Sequence, residues 1–185
     1  MALRLSQARF LLPALLLLLA WTTPGGAQEP AAPPAAQPED VASADAIIAA
    51  LYDVISGPAG AERDRDRFLS LFIPGARLIP TGRRPDGGVG HRVLTPEQFY
   101  EGSAPLMMER GFFEREIGRT TEQFGAVLHA FSAYDSRRKA DDPEPFARGV
   151  NSIQLLNDGQ RWWVVTIFWD SERPGQPLPE KYLNP

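Results

Sequence analysis

The sequence has no cysteine among its 185 residues. This absence excludes disulfide bonds, thiol nucleophiles and thiolate metal sites. It has two histidines, His91 and His129, which lie 38 positions apart. Because a zinc site needs three or four ligands, two distant histidines do not predict one. We therefore expect neither a bound metal nor a cofactor.

An excess of basic charge is also lacking. The chain has 19 basic and 23 acidic side chains and a net charge of −4. Nucleic acids and anionic membrane surfaces bind basic patches, so we expect neither as a partner. The longest apolar run, residues 10–21, has only 12 residues. A membrane-spanning helix needs about 20.

The N-terminus has the pattern of a secretory signal peptide. Arg4 and Arg9 precede the apolar run, and Gly25, Gly26 and Ala27 follow it. We predict cleavage near Ala27, so that residues 1–27 are the signal peptide; an uncleaved membrane anchor is the alternative. The mature chain then has 17 basic and 23 acidic side chains. This pattern predicts a secreted or periplasmic bacterial protein of one domain, with no membrane attachment after cleavage.

Composition divides the mature chain into three parts. Residues 28–42 are rich in proline and alanine and predict an extended linker. Residues 43–173 carry the periodic apolar pattern of a folded domain, and residues 174–185 form a C-terminal tail. Apolar residues at helical spacing predict a first helix that begins at Ser43 or Asp45.

A later helix, which follows Thr95, is predicted from its capping residues. In LTPEQFYEG, Thr95 can cap the helix, Pro96 suits its first turn, and Gln98 can reach back to the cap. We expect Pro105 to kink or divide this helix. From Phe112 onward, four runs rich in β-branched and aromatic residues predict strands, and the last two are joined by the turn NDG. The order of these elements predicts an α+β fold with an antiparallel meander.

Two segments carry a resemblance to a known family. The stretch LFIPGARLI ends a second predicted helical segment, ERDRDRFLSLF, and continues into a strand, and GQRWWVVTIFW forms the last strand. In this order, residues 44–172 resemble the nuclear transport factor 2-like superfamily, which includes SnoaL-like and ketosteroid-isomerase-like proteins and secreted bacterial members of unassigned function. The resemblance implies N-terminal helices packed in a strongly curved antiparallel sheet, which forms a cystatin-like cone with a pocket at its open end. It also implies dimers formed through the outer sheet face.

The chain departs from the isomerases at their catalytic base. The strand position that holds an aspartate in those enzymes aligns with Ile79 and Pro80, neither of which can transfer a proton. His129 remains as a candidate base, because histidine changes its charge near neutral pH. Such a base needs a carboxylate or a tyrosine to orient it. A structural hydrogen-bonding role for His129 is the alternative.

The residues expected to line a ligand pocket are aromatic or polar and belong to predicted helices and strands. They are Tyr52, Phe99, Tyr134, Arg148, Asn151, Trp163 and Trp169. Because side chains alternate along a strand, Arg148 and Asn151 cannot both face the pocket unless a bulge intervenes. Arg148 has the alternative of pairing with an acidic neighbour at the sheet edge.

The last strand is apolar on both faces. Strict alternation places Trp163 and Trp169 inside the cone and Trp162 and Phe168 on the opposite face. Since an antiparallel sheet with one wet face should alternate apolar and polar residues, a second subunit is expected to cover the outer face. This reasoning predicts a homodimer.

Three functions fit these observations. The first is a secreted domain that binds a small, partly apolar molecule without catalysis. The second is a proton-transfer enzyme, such as a cyclase, dehydratase or isomerase, with His129 as its base. The third is a structural or interaction module.

Overall fold

The structure, a computed structural model, describes residues 32–183. The predicted signal peptide therefore lies outside the described residues. Within them no helix is both long and apolar enough to span a membrane. The elements of this part of the chain are, in order, α1 (Pro38–Val41), α2 (Ala44–Ile55), α3 (Arg65–Ser70), β1 (Phe72–Arg83), β2 (Val89–His91), α4 (Pro96–Arg110), β3 (Phe113–Phe124), β4 (Val127–Arg137), β5 (Ala147–Asn157), β6 (Trp162–Ser171) and a 3₁₀ helix (Glu180–Tyr182).

Local capping signals set the beginnings of the two long helices. Ser43 caps α2, and its side chain accepts a 3.0 Å hydrogen bond from the Ala46 amide. Thr95 and Gln98 form the predicted capping box at the start of α4. Pro105 does not divide α4, which continues to Arg110. The predicted helix starts are thus confirmed.

The ordered domain begins before the boundary predicted at residue 43. Helix α1 lies within the stretch expected to be an extended linker, and Val41 is buried in the core. Asp40 accepts hydrogen bonds of 2.7 and 2.9 Å from Nε and Nη2 of Arg67. The linker prediction is therefore wrong for residues 38–42, because apolar burial and a two-point ion pair with α3 outweigh the proline- and alanine-rich composition.

The six strands form one mixed sheet in the order β2-β1-β6-β5-β4-β3. The predicted meander is confirmed for β3 to β6, whose neighbours are antiparallel. The prediction of an entirely antiparallel sheet is wrong, because β1 pairs parallel with β6. A parallel pair needs a long connection, and here α4 and the first three strands of the meander lie between its two members. The cone shape itself stays a prediction.

The core lies between α2 and the inner face of the sheet. Ile47, Ile48 and Leu51 on one side of α2 are buried with Ile153 and Val164 of β5 and β6. Each such side chain contributes about 1.5–3 kcal/mol when it is fully buried. The other face of the sheet is the outer face, which points away from the helices.

A bulge in β6 changes which residues face the core. Gln154 pairs with Thr166 but Leu155 pairs with Val164, so Val165 has no partner across this pair of strands. Trp162 is buried in the core beside Val164, whereas strict alternation places Trp162 on the outer face. Beyond the bulge Phe168 faces outward and is 47% exposed. The prediction for Trp162 is wrong because a bulge reverses the alternation.

The C-terminal segment lies on the outer face of the sheet. The ring of Tyr182 is 5.0 Å from that of Phe131 in β4, and the Leu178 amide donates a 2.9 Å hydrogen bond to Glu172. The chain passes so close to β3 that a Cβ atom at Gly118 would overlap the carbonyl oxygen of Tyr182. Part of the outer face is therefore covered by this chain itself.

Candidate functional site

A pocket of about 270 Å³ lies between α2, α4 and the inner face of the sheet. We call it the inner pocket. Its volume is near the lower limit of about 300 Å³ that is usual for small-molecule sites. Most of its lining is apolar, and its polar residues are Tyr52, Ser103, Glu114, Tyr134, Ser136 and Asn151.

Aromatic rings form one wall of the inner pocket. The rings of Phe68 and Phe99 stack 5.9 Å apart, and Trp169 meets Phe99 edge to face at 5.8 Å. Phe112 and Phe146 form a second pair, at 6.1 Å. Helices α3 and α4 and strand β6 meet here, so residues distant in the sequence build one apolar surface.

Glu114 is the charged residue of the inner pocket. Its Oε2 accepts a 2.8 Å hydrogen bond from the Ser136 hydroxyl. Burial raises the pKa of Glu114 to about 7, and the negative charge of Asp135 adds to the rise. Hydrogen bonds from Ser136 and Asn151 lower this pKa, but they do not offset the loss of water. At neutral pH the carboxyl can therefore either carry a proton or hold a negative charge.

The backbone around Glu114 is fixed by the end of α2. The Glu114 amide donates a 3.0 Å hydrogen bond to Ser56 Oγ, and the Ser56 hydroxyl donates to the Tyr52 carbonyl at 2.7 Å. Sequence reasoning missed Glu114 as a site residue, because the charged run EREIG is typical of an exposed strand. The signal in favour was its even spacing from Phe112, which places both residues on one face.

A chain of hydrogen bonds runs through the floor of the inner pocket. Asn151 Nδ2 donates to the Tyr52 hydroxyl at 3.2 Å, and that hydroxyl lies 2.7 Å from Ser132 Oγ. The Ser132 hydroxyl donates to Glu116 at 2.6 Å, so the Tyr52 proton must point toward Ser132. Burial raises the pKa of Tyr52 above its ordinary value and keeps the phenol protonated. Tyr52 therefore meets a ligand with its ring and its remaining lone pair.

Five of the predicted ligand-binding residues line the inner pocket. They are Tyr52, Phe99, Tyr134, Asn151 and Trp169. The Tyr134 hydroxyl lies 3.0 Å from Ser171 Oγ, and burial raises the pKa of Tyr134 to about 12. These residues come from α2, α4, β4, β5 and β6, which the topology brings together at one end of the sheet.

Arg148 does not line the inner pocket. Alternation along β5 turns Asn151 inward and Arg148 outward, as the spacing of the two residues requires. Arg148 forms a two-point ion pair with Glu172, with N–O distances of 2.8 and 2.9 Å. This pairing with an acidic neighbour is the alternative that the sequence left open.

Trp163 lies outside the inner pocket as well. Its Nε1 donates a 2.7 Å hydrogen bond to Asp158 in the preceding turn. The guanidinium of Arg161 lies 3.6 Å from the centre of the indole ring. The expectation that Trp163 and Trp169 share a face is wrong, because the bulge at Val165 separates them.

His129 is on the outer face of the sheet. Its Nε2 lies 2.9 Å from Ser152 Oγ, and its ring packs against Phe131. The adjacent residues Leu128 and Ala130 are buried on the inner face, so His129 must point away from the inner pocket. It cannot serve as a base for a molecule bound there. Among the described residues no cluster of His, Asp and Glu could hold a metal ion.

Comparisons with known proteins give one structural similarity. No protein-family model matches the chain, and no curated protein matches it. A crystal structure of an NTF2-like protein of unknown function from Shewanella baltica is similar, with 14% identity and a TM-score of 0.40. The similarity covers 71% of this chain and 98% of that one. At this identity no residue role passes from that protein to this chain.

Proposed function

We propose that this chain is a secreted or periplasmic member of the nuclear transport factor 2-like superfamily that binds a small, partly apolar molecule. The observation that carries the proposal is the inner pocket, an apolar cavity of about 270 Å³ with a few polar groups at its floor. Sites for small molecules are built in this way, with apolar walls for affinity and few polar groups for orientation. Proton transfer by His129 is not part of the proposal, because His129 faces the opposite side of the sheet.

A cavity-filling variant tests the binding function. We expect 2-phenylethanol to bind the purified protein and to lose its binding in Ala147→Phe, since Ala147 lines the inner pocket. Val150→Phe is the matched control, because Val150 lies on the same strand and lines the groove on the outer face. Titration followed by NMR would measure both. Equal binding by the two variants would contradict the proposal.

The location is tested separately. If the chain is exported in a bacterial host, N-terminal sequencing of the periplasmic or secreted protein should begin near Gln28. Recovery of the full chain in the membrane fraction would support the uncleaved anchor instead.

A homodimer through the outer face is the second part of this proposal. The exposed ring of Phe168 supports it, although the C-terminal segment already covers Phe131 on that face. Sedimentation at micromolar concentration should give the mass of two chains. The mass of a single chain would contradict the dimer and leave the inner pocket unaffected.

A further inference from the structure

We propose that the molecule bound in the inner pocket is an apolar amine whose ammonium group pairs with Glu114. This inference rests on the ligand-binding function proposed above and names the chemical class of its ligand. It depends on three features of the pocket: its charge, its aromatic walls and the lack of a cationic partner for Glu114 among residues 32–183.

The charge of the inner pocket is of one sign. Among residues 32–183, Glu114 is the one acidic residue that lines the inner pocket. No arginine, lysine or histidine of these residues lines it. A ligand carboxylate or phosphate would therefore enter without a counter-ion and next to a carboxyl group. Burying an unpaired charge is costly, so an anionic ligand is disfavoured and a cation is favoured.

The walls also suit a cation attached to an apolar body. The faces of aromatic rings attract ammonium groups, with Trp the strongest, and Trp169 and Phe99 both line the cavity. The same rings bury the apolar part of a ligand. A carboxylate surrounded by aromatic rings is the combination that recognises protonated amines rather than alcohols.

The partners of the Glu114 carboxyl within residues 32–183 are neutral. The Ser136 hydroxyl donates to Oε2 at 2.8 Å, and a hydrogen bond from the Asn151 side chain also favours the ionised form. No ion pair within residues 32–183 includes Glu114. An ammonium group in the cavity can therefore reach a carboxylate oxygen without displacing a protein cation.

Other titratable groups near Glu114 do not compete for this role. Tyr52 of α2 and Tyr134 of β4 stay protonated, because burial raises both pKa values. Asp135 of β4 is already paired with Arg115 and Arg137, at N–O distances of 2.9–3.2 Å. The lining residues of α4 and β5 are uncharged.

The amine should consequently bind in a pH-dependent way. Burial raises the pKa of Glu114 to about 7, and the amine binds the ionised form. Affinity then rises with pH up to about 7 and levels off above it. Between pH 8 and pH 5 the affinity should fall roughly 100-fold, since only about one carboxyl in a hundred is ionised at pH 5.

Three probes of similar size, which differ in the charge of their polar group, test the inference. Titrations of the purified protein with 2-phenylethylamine, 2-phenylethanol and phenylacetate at pH 8 and pH 5 would be followed by NMR. We expect the amine to bind at least tenfold more tightly than the alcohol at pH 8, and phenylacetate to bind most weakly. The alcohol should keep its affinity at pH 5 and so controls for every other group that titrates in this range.

Glu114→Gln is the matched variant, and its folding is checked by thermal unfolding. It should lose the preference for the amine over the alcohol at pH 8. The pH profile of the unmodified protein tests the inference even if this variant does not fold. Binding of the alcohol with no preference for the amine at pH 8 would overturn the amine inference and leave the pocket intact. Failure of all three probes to bind would overturn the pocket function as well.

Discussion

The Ser136 hydroxyl donates a 2.8 Å hydrogen bond to Oε2 of Glu114, and no cation of residues 32–183 forms an ion pair with that carboxyl. Because Ser136 is neutral, it does not offset the free energy lost when the carboxylate is removed from water. The pKa of Glu114 therefore rises from 4.5 to about 7. The folded protein therefore keeps a proton between pH 4.5 and 7 that the unfolded chain releases. Glu114 lowers the free energy of unfolding as pH rises through this range.

We predict that Glu114→Gln raises stability at pH 8 by up to about 3 kcal/mol relative to the unmodified protein. The variant removes the ionisable group but keeps its shape, so the difference should shrink toward pH 4.5. Urea unfolding at pH 5 and pH 8 measures it. A difference that does not change with pH would show that Glu114 is not perturbed by burial.

Glu172→Gln is a control in which the change in stability with pH should have the opposite sign. Arg148 and the Leu178 amide lower the pKa of Glu172, so its ionised form stabilises the folded state above its ordinary pKa. We expect this variant to be less stable than the unmodified protein at pH 8. The deficit should be lost as the pH falls through the lowered pKa of Glu172.

The two adjacent tryptophans should respond differently to truncation. Trp162→Ala removes a core side chain that is 8% exposed and should destabilise the protein by about 3–5 kcal/mol. Trp163→Ala removes a ring outside the core and should cost less than about 1 kcal/mol. Thermal or urea unfolding distinguishes them, and a larger loss for Trp163 would contradict the position of the bulge.

This pair also shows what the sequence could predict. Helix starts at Ser43 and Thr95 and the turn before Trp162 depend on a few neighbouring residues, and all three were predicted correctly. The bulge at Val165 depends on how β5 and β6 pair, and no local pattern encodes it. Strict alternation therefore failed within one strand.

The site follows the same division. Tyr52, Asn151 and Trp169 were predicted because aromatic and polar residues within apolar segments often line pockets. Glu114 was not predicted as a pocket residue. Its burial results from the packing of α2 and β4 against β3, and charge and spacing alone do not reveal this packing. The side chain direction of Arg148 could not be predicted for a similar reason, since its partner Glu172 follows the end of a different strand, β6.

Gly118→Ala should release the C-terminal segment from the sheet. The added Cβ would overlap the Tyr182 carbonyl, so the segment must move while the inner face is unchanged. Limited proteolysis should then cut after residue 173 faster than in the unmodified protein. Gly82→Ala is the control, because a Cβ there meets no atom within 4 Å. Equal cleavage of both variants would contradict the docking of the segment.

Arg63 is expected to stabilise the turn beside the inner pocket. It is buried and donates to the carbonyl oxygens of Ile55 at 3.0 Å and Gly57 at 2.6 Å. Arg63→Met should destabilise the protein by about 2–4 kcal/mol, because several partly buried carbonyls lose their donor. The exposed Arg65 provides the control, and Arg65→Met should change stability by less than about 0.5 kcal/mol. Similar unfolding midpoints for the two variants would refute this role.

The bulge makes the length of β6 as important as its composition. Trp162 and Val164 belong to the core, and Ile167 and Trp169 line the inner pocket, so all four side chains face inward. They can do so because Val165 is an extra residue in the pairing with β5; without it the four positions alternate regularly. Deletion of Val165 would bring Val164 next to Thr166 and straighten the pairing with β5. The same four side chains would stay on the inner face, but the local bend and extra twist that the bulge gives β6 would be lost. The shape of the inner pocket would then change although none of the residues that line it is replaced.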